Sequence, residues 1–292
     1  MTTTRRIFLA QAGLAAAGIM LAPKLASAKS PNGIGIQLYS LRDQLPKDVK
    51  GVIVAVAKAG YKEVETFGYS KQNGFWGLTA KEFSALLKQN GLKSPSGHYG
   101  LDEYFSTGKM DEFDSYIEAA KILGQTYIVV PSLNGDLIKT AADFKSIAAK
   151  MNQAAAICKK HGLKLGYHNH NFEWKEVEGT TFYDTILKYT DPKLVAMEMD
   201  IYWVVRAGKD PIEIFKKHPG RFAMVHIKDM DKSNHDLNTE IGTGAIDFKK
   251  ILGQAKLAGI KHYIVEQENF TNIDPYVSIA KSASYLKTKL YL

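Results

Sequence analysis

Residues 63–97 read EVETFGYSKQNGFWGLTAKEFSALLKQNGLKSPSG, and this stretch decides the fold. Residues 63–66 form a short β-rich run. Thr79, followed three residues later by Glu82, is a capping box that opens a helix over 79–90. Gly91 closes that helix as a C′ glycine, and 93–97 starts the next strand. One strand, one helix and a second strand in that order make the unit of a parallel sheet.

The same unit recurs on both sides of this stretch. Upstream, 34–39 reads as a strand and 49–59 as a helix. Downstream, strands over 127–130, 163–168, 194–200, 222–227 and 262–266 alternate with helices over 110–123, 144–160, 181–189, 211–217, 248–258 and 275–289. Gly124 ends one of these helices, and Gly162 follows another. Eight β-then-α units with no linker between them predict a closed (β/α)8 TIM barrel, a single domain over 29–292. A dinucleotide or P-loop fingerprint is absent after the first strand, since Gly33 and Gly35 fall before its end.

The chain begins with a different kind of segment. Thr4-Arg5-Arg6-Ile7-Phe8-Leu9 sets paired arginines ahead of an apolar run over 7–21, and Ala26-Ser27-Ala28 gives a small-x-small cleavage site. Spanning a bilayer takes about 20 strongly apolar residues, and this run is shorter and diluted by Ala and Gly. Residues 1–28 are therefore expected to be a twin-arginine signal peptide that engages the Tat export machinery. The mature protein would start at Lys29 in the periplasm, with no membrane anchor after cleavage. Loss of Arg5, Arg6 and Lys24 lowers the formal charge from +8 to +5. That mild excess forms no basic stripe, so no nucleic-acid partner is expected. Cys158 is the only cysteine, which rules out an intramolecular disulfide. Its Ala-rich helical setting marks it as a core residue.

In a barrel of this kind the chemistry gathers where strands end. Here those ends read Gln37-Leu38-Tyr39-Ser40, then Glu65, then His98-Tyr99, and Tyr167-His168-Asn169-His170-Asn171 at the fifth. The last three are Glu198-Met199-Asp200-Ile201-Tyr202-Trp203, His226-Ile227-Lys228-Asp229 and Glu266-Gln267-Glu268-Asn269. Taken singly, each has an ordinary explanation: Asp200 caps the next helix, or Lys228 and Asp229 form a surface pair. Taken together, His, Asp, His and Glu on four successive strands can surround one ion. Mixed imidazole and carboxylate donors suit Mn²⁺, Co²⁺, Zn²⁺ or Fe²⁺ better than Ca²⁺.

These residues make the chain resemble the sugar phosphate isomerase/epimerase superfamily with its xylose-isomerase-like barrel. The resemblance runs over the whole mature chain. Its carriers are Gly35-Ile36-Gln37-Leu38-Tyr39-Ser40, Gly60-Tyr61-Lys62-Glu63-Val64-Glu65, Tyr167-His168-Asn169-His170, Met199-Asp200, Val225-His226-Ile227-Lys228-Asp229, Gly242-Thr243-Gly244-Ala245-Ile246-Asp247-Phe248 and Val265-Glu266. The resemblance implies one divalent metal ion on a strand 5 group, Asp200, His226 and Glu266. For the strand 5 group the best match is His168, with His170 on the same strand face as a competitor. The epimerases carry a Glu at that strand 5 position, and many relatives carry a substrate-binding His where this chain has Trp203.

The implied activity is that of a metal-dependent sugar isomerase/epimerase, which abstracts a proton beside the carbonyl of a non-phosphorylated carbohydrate. Glu266 is the expected base, with His98 and His168 as alternatives, and Lys228 is expected to stabilise the developing oxyanion. Gln37, Tyr39, Glu65, His170 and Trp203 are expected to bind substrate, with Phe67 as a further wall. The His at strand 5 keeps β-elimination by a dehydratase or lyase as the alternative. A carbohydrate-binding protein without catalysis is the reading from a different class.

Overall fold

The computed structural model describes residues 33–292, so the expected signal peptide at 1–28 lies outside the described residues. Among the described residues, no helix is long and apolar enough to cross a membrane.

Eight parallel strands close into a barrel in strict chain order. They are β1 (Ile34–Gln37), β2 (Glu63–Thr66), β3 (Lys93–His98), β4 (Tyr127–Val130), β5 (Lys164–His168), β6 (Val195–Asp200), β7 (Phe222–Ile227) and β8 (His262–Val265). Pairing of β1 with β8 shuts the ring through Ile34–Tyr263, Gly35–Ile264 and Ile36–Val265. The strands are buried on both faces because helices cover the outside. Ile36, Val64, Ile128, Leu165, Val225 and Val265 belong to the buried shell that packs against those helices.

Local chemistry explains most helix boundaries. The Thr79 hydroxyl accepts from Glu82 N at 3.3 Å while the Glu82 carboxylate accepts from Thr79 N at 2.8 Å, so the expected capping box starts Ala80–Gln89. A second capping box, Thr140 with Asp143, starts Ala141–Lys160 three residues before the expected boundary. Other boundaries differ from the reading for equally local reasons. β1 stops at Gln37 because its side chain accepts from Tyr39 N and turns Leu38–Leu41 into a 3₁₀ segment. The helix expected over 248–258 is two pieces, Phe248–Leu252 and Ala255–Ala258. Short helices at Asp102–Thr107 and Ile201–Arg206 fill loops that the sequence pattern left open.

Side chains alternate across each strand, so every second residue points into the barrel. Tyr127, Val129, Met224 and Ile264 form a separate apolar plug there. Gly166 leaves the room they need: a Cβ at that position would come within 3.0 Å of Val129 Cγ2 and 3.3 Å of Met224 Cε. One step further along the strands, this parity brings in Glu65, His168, Glu198 and His226, all buried.

Candidate metal centre

His168, Asp200, His226 and Glu266 each offer a donor atom, and the four donor atoms lie within 4.8 Å of one another. All four residues are buried. Their placement follows from strand register, because Asp200 pairs with His226 across β6 and β7. Asp200 does cap the next helix, but with one oxygen only: Oδ1 accepts from Trp203 N at 3.1 Å. Its other oxygen, Oδ2, is buried with no hydrogen-bond partner. Asn169 fixes the Asp200 backbone, accepting from its N–H at 3.2 Å and donating to its carbonyl at 3.3 Å. His168 Nδ1 lies 3.1 Å from Glu198, which leaves Nε2 as its second ring nitrogen for coordination. A partnerless buried carboxylate oxygen among imidazole and carboxylate donors fits a divalent ion.

Lys228 projects into the same space. Its ammonium donates to Glu266 Oε2 at 3.3 Å and to the Glu268 carboxylate, and lies 3.8 Å from Asp200 Oδ2. Burial disfavours its charge, but Glu266, Asp200 and Glu268 outweigh that and hold it above the usual lysine value. Glu266 shifts the other way. Burial raises it, yet the charges of Lys228 and His226 hold it well below the usual carboxylate range. Burial pushes Asp200 up to about 7.

The adjacent Asp229 faces away and performs a different task. Its carboxylate accepts from the backbone N–H of Gly242 at 2.8 Å, Gly244 at 3.0 Å and Ile246 at 3.2 Å. A Cβ on Gly244 would sit 2.3 Å from Asp229 Oδ1, so only glycine lets the loop close this tightly. The Lys228-Asp229 pair thus joins an inward cation to a latch on the glycine loop.

A second group adjoins the first and shares His168 and His226 with it. Glu198 Oε2 is 2.8 Å from His98 Nε2, 3.1 Å from His168 Nδ1 and 3.3 Å from His226 Nε2. Glu65 Oε2 is 2.7 Å from His226 Nε2 and 3.1 Å from His98 Nε2, and accepts from Gln37 Nε2 at 2.8 Å. Burial works against an imidazolium at His98, but the Glu65 and Glu198 charges prevail and push it up to about 10. Glu198 is pushed up to about 7 by burial and by the charge of Glu65. The sequence reading passed over Glu198, although it stands two residues before Asp200 and so on the same strand face.

A cavity of about 580 Å³ opens above both groups. Tyr39, Phe67, His98, His168, His170, Trp203 and Glu266 line it, and Glu268 joins them. Gln37 and Glu65, expected to bind substrate, are fully buried and outside the cavity lining; Glu65 meets the site through His98 and His226, and Gln37 through Glu65 and the backbone of Tyr39. Burial and the charge of Lys228 push His170 down to about 4, so its ring is neutral. His170 Nδ1 and Trp203 Nε1 are buried without hydrogen-bond partners. The lining includes no lysine or arginine.

Comparison with known proteins agrees with this fold. The chain aligns over 90% of its length, and over 96% of the other chain, with the crystal structure of a sugar phosphate isomerase/epimerase from Parabacteroides distasonis, at 33% identity and a TM-score of 0.77. It is 28% identical over 188 residues to an inosose dehydratase of Clostridium perfringens and 26% identical over 182 residues to one of Geobacillus kaustophilus. Those matches take in 58% and 56% of this chain, and the chain spans only 62% and 58% of the two relatives' own lengths. The family model of the xylose isomerase-like TIM barrel matches residues 53–289. The chain belongs to the xylose isomerase-like TIM barrel family.

Proposed function

We propose that the protein is a metal-dependent enzyme that removes a proton beside the carbonyl of a non-phosphorylated keto-sugar, and that the reaction ends in β-elimination. The observation that carries the first part is the convergence of His168, Asp200, His226 and Glu266, of which His168 and Glu266 line the cavity, with Lys228 beside them. A divalent ion held by those four groups supplies Lewis-acid polarisation of a substrate carbonyl. The Glu266 carboxylate takes the carbon-bound proton. The Lys228 ammonium, fixed by Glu266 and Glu268, stabilises the negative charge that develops on oxygen. Trp203 and Tyr39 offer aromatic faces to the sugar, and His170 a ring nitrogen free to bond a hydroxyl.

The choice of a free sugar rests on charge. Glu266 and Glu268 line the cavity, no lysine or arginine is among its lining residues, and the nearby Lys228 ammonium is already bonded to both carboxylates. Export by the twin-arginine pathway, which we also propose from residues 1–28, points the same way, since sugar phosphates are mainly cytoplasmic metabolites.

Elimination is favoured over epimerisation by the fifth strand. A two-base epimerase needs a second group to return a proton to the opposite face. Here His168 ends β5 and His170 follows it, where the epimerases carry a Glu, so the second carboxylate of that two-base pair is missing from the fifth strand. The names of the two inosose dehydratases support this branch. The isomerase/epimerase outcome is the second reading, supported by the 33% identical P. distasonis structure. Product analysis separates them: an unsaturated ketone from a keto-sugar supports elimination, and a rearranged sugar with its hydroxyls intact supports isomerisation. A carbohydrate that binds in the cavity and is never converted would leave the non-catalytic binding reading.

A further inference from the structure

We propose that a second cavity beside the sugar site is an apolar subsite, and that the substrate is a keto-glycoside whose departing group, an aromatic or other apolar alcohol, sits in it. The proposal rests on the elimination reading given above and adds to it the class of the leaving group. This cavity has a volume of about 320 Å³ and is lined chiefly by Leu133, Ile138, Phe144, Phe172, Val177 and Phe182. Lys175 is the only charged residue in its lining among the described residues. Its walls continue those of the sugar cavity. The chain leaving β4 lines the sugar cavity with Pro131 and Ser132, then the second cavity with Leu133 and Ile138. The chain leaving β5 does the same with His168 and His170, then with Phe172 and Val177. The Phe172 ring stacks on the His170 ring, with centroids 5.9 Å and planes 17° apart, so one aromatic ridge borders both spaces.

Local interactions hold these walls in place. Phe144 and Phe182 are buried with their ring centroids 5.4 Å apart. Val177 belongs to a small hairpin in which Glu176–Val177 pairs with Thr180–Thr181. Its two-residue turn puts Glu178 and Gly179 at φ 52° and 78°, the left-handed geometry that tight hairpins use. The Glu178 carboxylate accepts from Ala141 N at 3.1 Å, a donor otherwise left over at the start of the helix Ala141–Lys160. That bond fastens the hairpin to the helix that carries Phe144. Phe172 nevertheless remains 39% exposed, a large apolar ring with an open face above a buried aromatic floor. Tyr39, equally exposed, lines the sugar cavity.

The occupant follows from the chemistry and the size. In β-elimination Glu266 takes the proton from the carbon beside the carbonyl, the electron pair left behind forms the carbon–carbon double bond, and the bond from the β-carbon to its oxygen breaks. The freed oxygen takes up a proton. A keto-glycoside thus gives an unsaturated ketone and an alcohol, with no oxidant or further reactant. Such a substrate carries a departing group beyond the sugar ring, and an apolar space that shares walls with the sugar cavity suits an apolar one. Ligand pockets run from about 300 to 1,000 Å³, so this volume admits one small apolar group and not a segment of a partner protein.

The test gives the metal-loaded full chain the methyl and the benzyl keto-glycoside of one sugar, whose departing alcohols have nearly equal acidity. The expected result is a kcat/KM about 10–100-fold higher for the benzyl compound, the gain from burying one aromatic ring. Near-equal values are expected in Phe172→Ala and in Val177→Asp. General damage to the fold lowers both substrates alike, so the ratio reads the subsite, and circular dichroism identifies a variant that fails to fold. Equal values in the wild type, or a benzyl preference that survives in the folded variants, overturn the subsite and leave elimination standing. If neither compound is turned over, elimination fails and calorimetric binding of the same pair decides. Tighter benzyl binding in the wild type and not in Phe172→Ala then supports a subsite for an apolar substituent, and equal affinities overturn it.

Discussion

The Lys228 ammonium lies 3.3 Å from the Glu266 carboxylate; both side chains are buried, and Glu266 lines the cavity. That contact sets the charge balance of the proposed reaction. It keeps Glu266 ionised while lowering its affinity for a proton, and it keeps Lys228 charged where oxyanion charge develops. Glu266→Gln preserves the shape and removes the base. We expect kcat to fall roughly 10²–10⁴-fold, the typical contribution of general base catalysis. Full turnover in this variant would remove Glu266 from that role.

Asp229 and the glycine loop give a second prediction. Gly244→Ala pushes a methyl group against the Asp229 carboxylate and the Met230 carbonyl, each 2.3 Å from the added atom. Overpacking of this kind costs about 1–3 kcal/mol. Urea unfolding should register that loss, and activity should fall as Lys228 shifts. An unchanged midpoint would mean that the loop has slack not visible in its hydrogen bonds.

Glu173 makes stability depend on pH. It is buried, accepts from His170 N at 3.0 Å and from the Tyr167 hydroxyl at 2.9 Å, and burial pushes it up to about 7. An acid with a raised folded value binds its proton more tightly when folded than when unfolded. Stability should therefore decline as pH rises from the ordinary glutamate range toward 7, and level off above it. Glu173→Gln should flatten that part of the profile, as read from denaturation midpoints across pH 4 to 8. A slope that persists unchanged in Glu173→Gln would assign it to other groups.

Trp203 tests the substrate contact. It lines the cavity with its ring 5.5 Å from His170 and with Lys228 Nζ 5.2 Å above it. Aromatic contacts of this sort are worth about 0.5–1.5 kcal/mol. Trp203→Ala should raise KM about 2–10-fold with a smaller effect on kcat. A fall in kcat alone would instead place Trp203 with the reacting groups.

The fold was legible because barrel strands and helices announce themselves by alternation, and because Thr79 with Glu82 marks a helix start without any tertiary context. Asp200, His226, His168 and Glu266 were legible because each ends a strand, the place where a barrel concentrates its chemistry. Glu198 was missed for a specific reason. It lies inside β6, where a charged side chain reads as part of the strand unless its inward neighbours are known. Period-two parity with Asp200 was the available signal, and it pointed to the right face. Gln37 and Glu65, expected to bind substrate, lie outside the cavity lining, because strand ends give direction but not depth. Their depth depends on how registers such as Gln37 opposite Glu65 stack around the barrel, which no single strand records.

The central claim, proton abstraction beside a sugar carbonyl, is tested most directly by isotope release. Metal-loaded protein is incubated in ordinary water with non-phosphorylated keto-sugars carrying deuterium at the carbon next to the carbonyl. The account predicts that deuterium passes to solvent with the loaded wild type and not with Glu266→Gln, whichever product follows. Keto-sugars that bind in the cavity yet keep all of their label would contradict it.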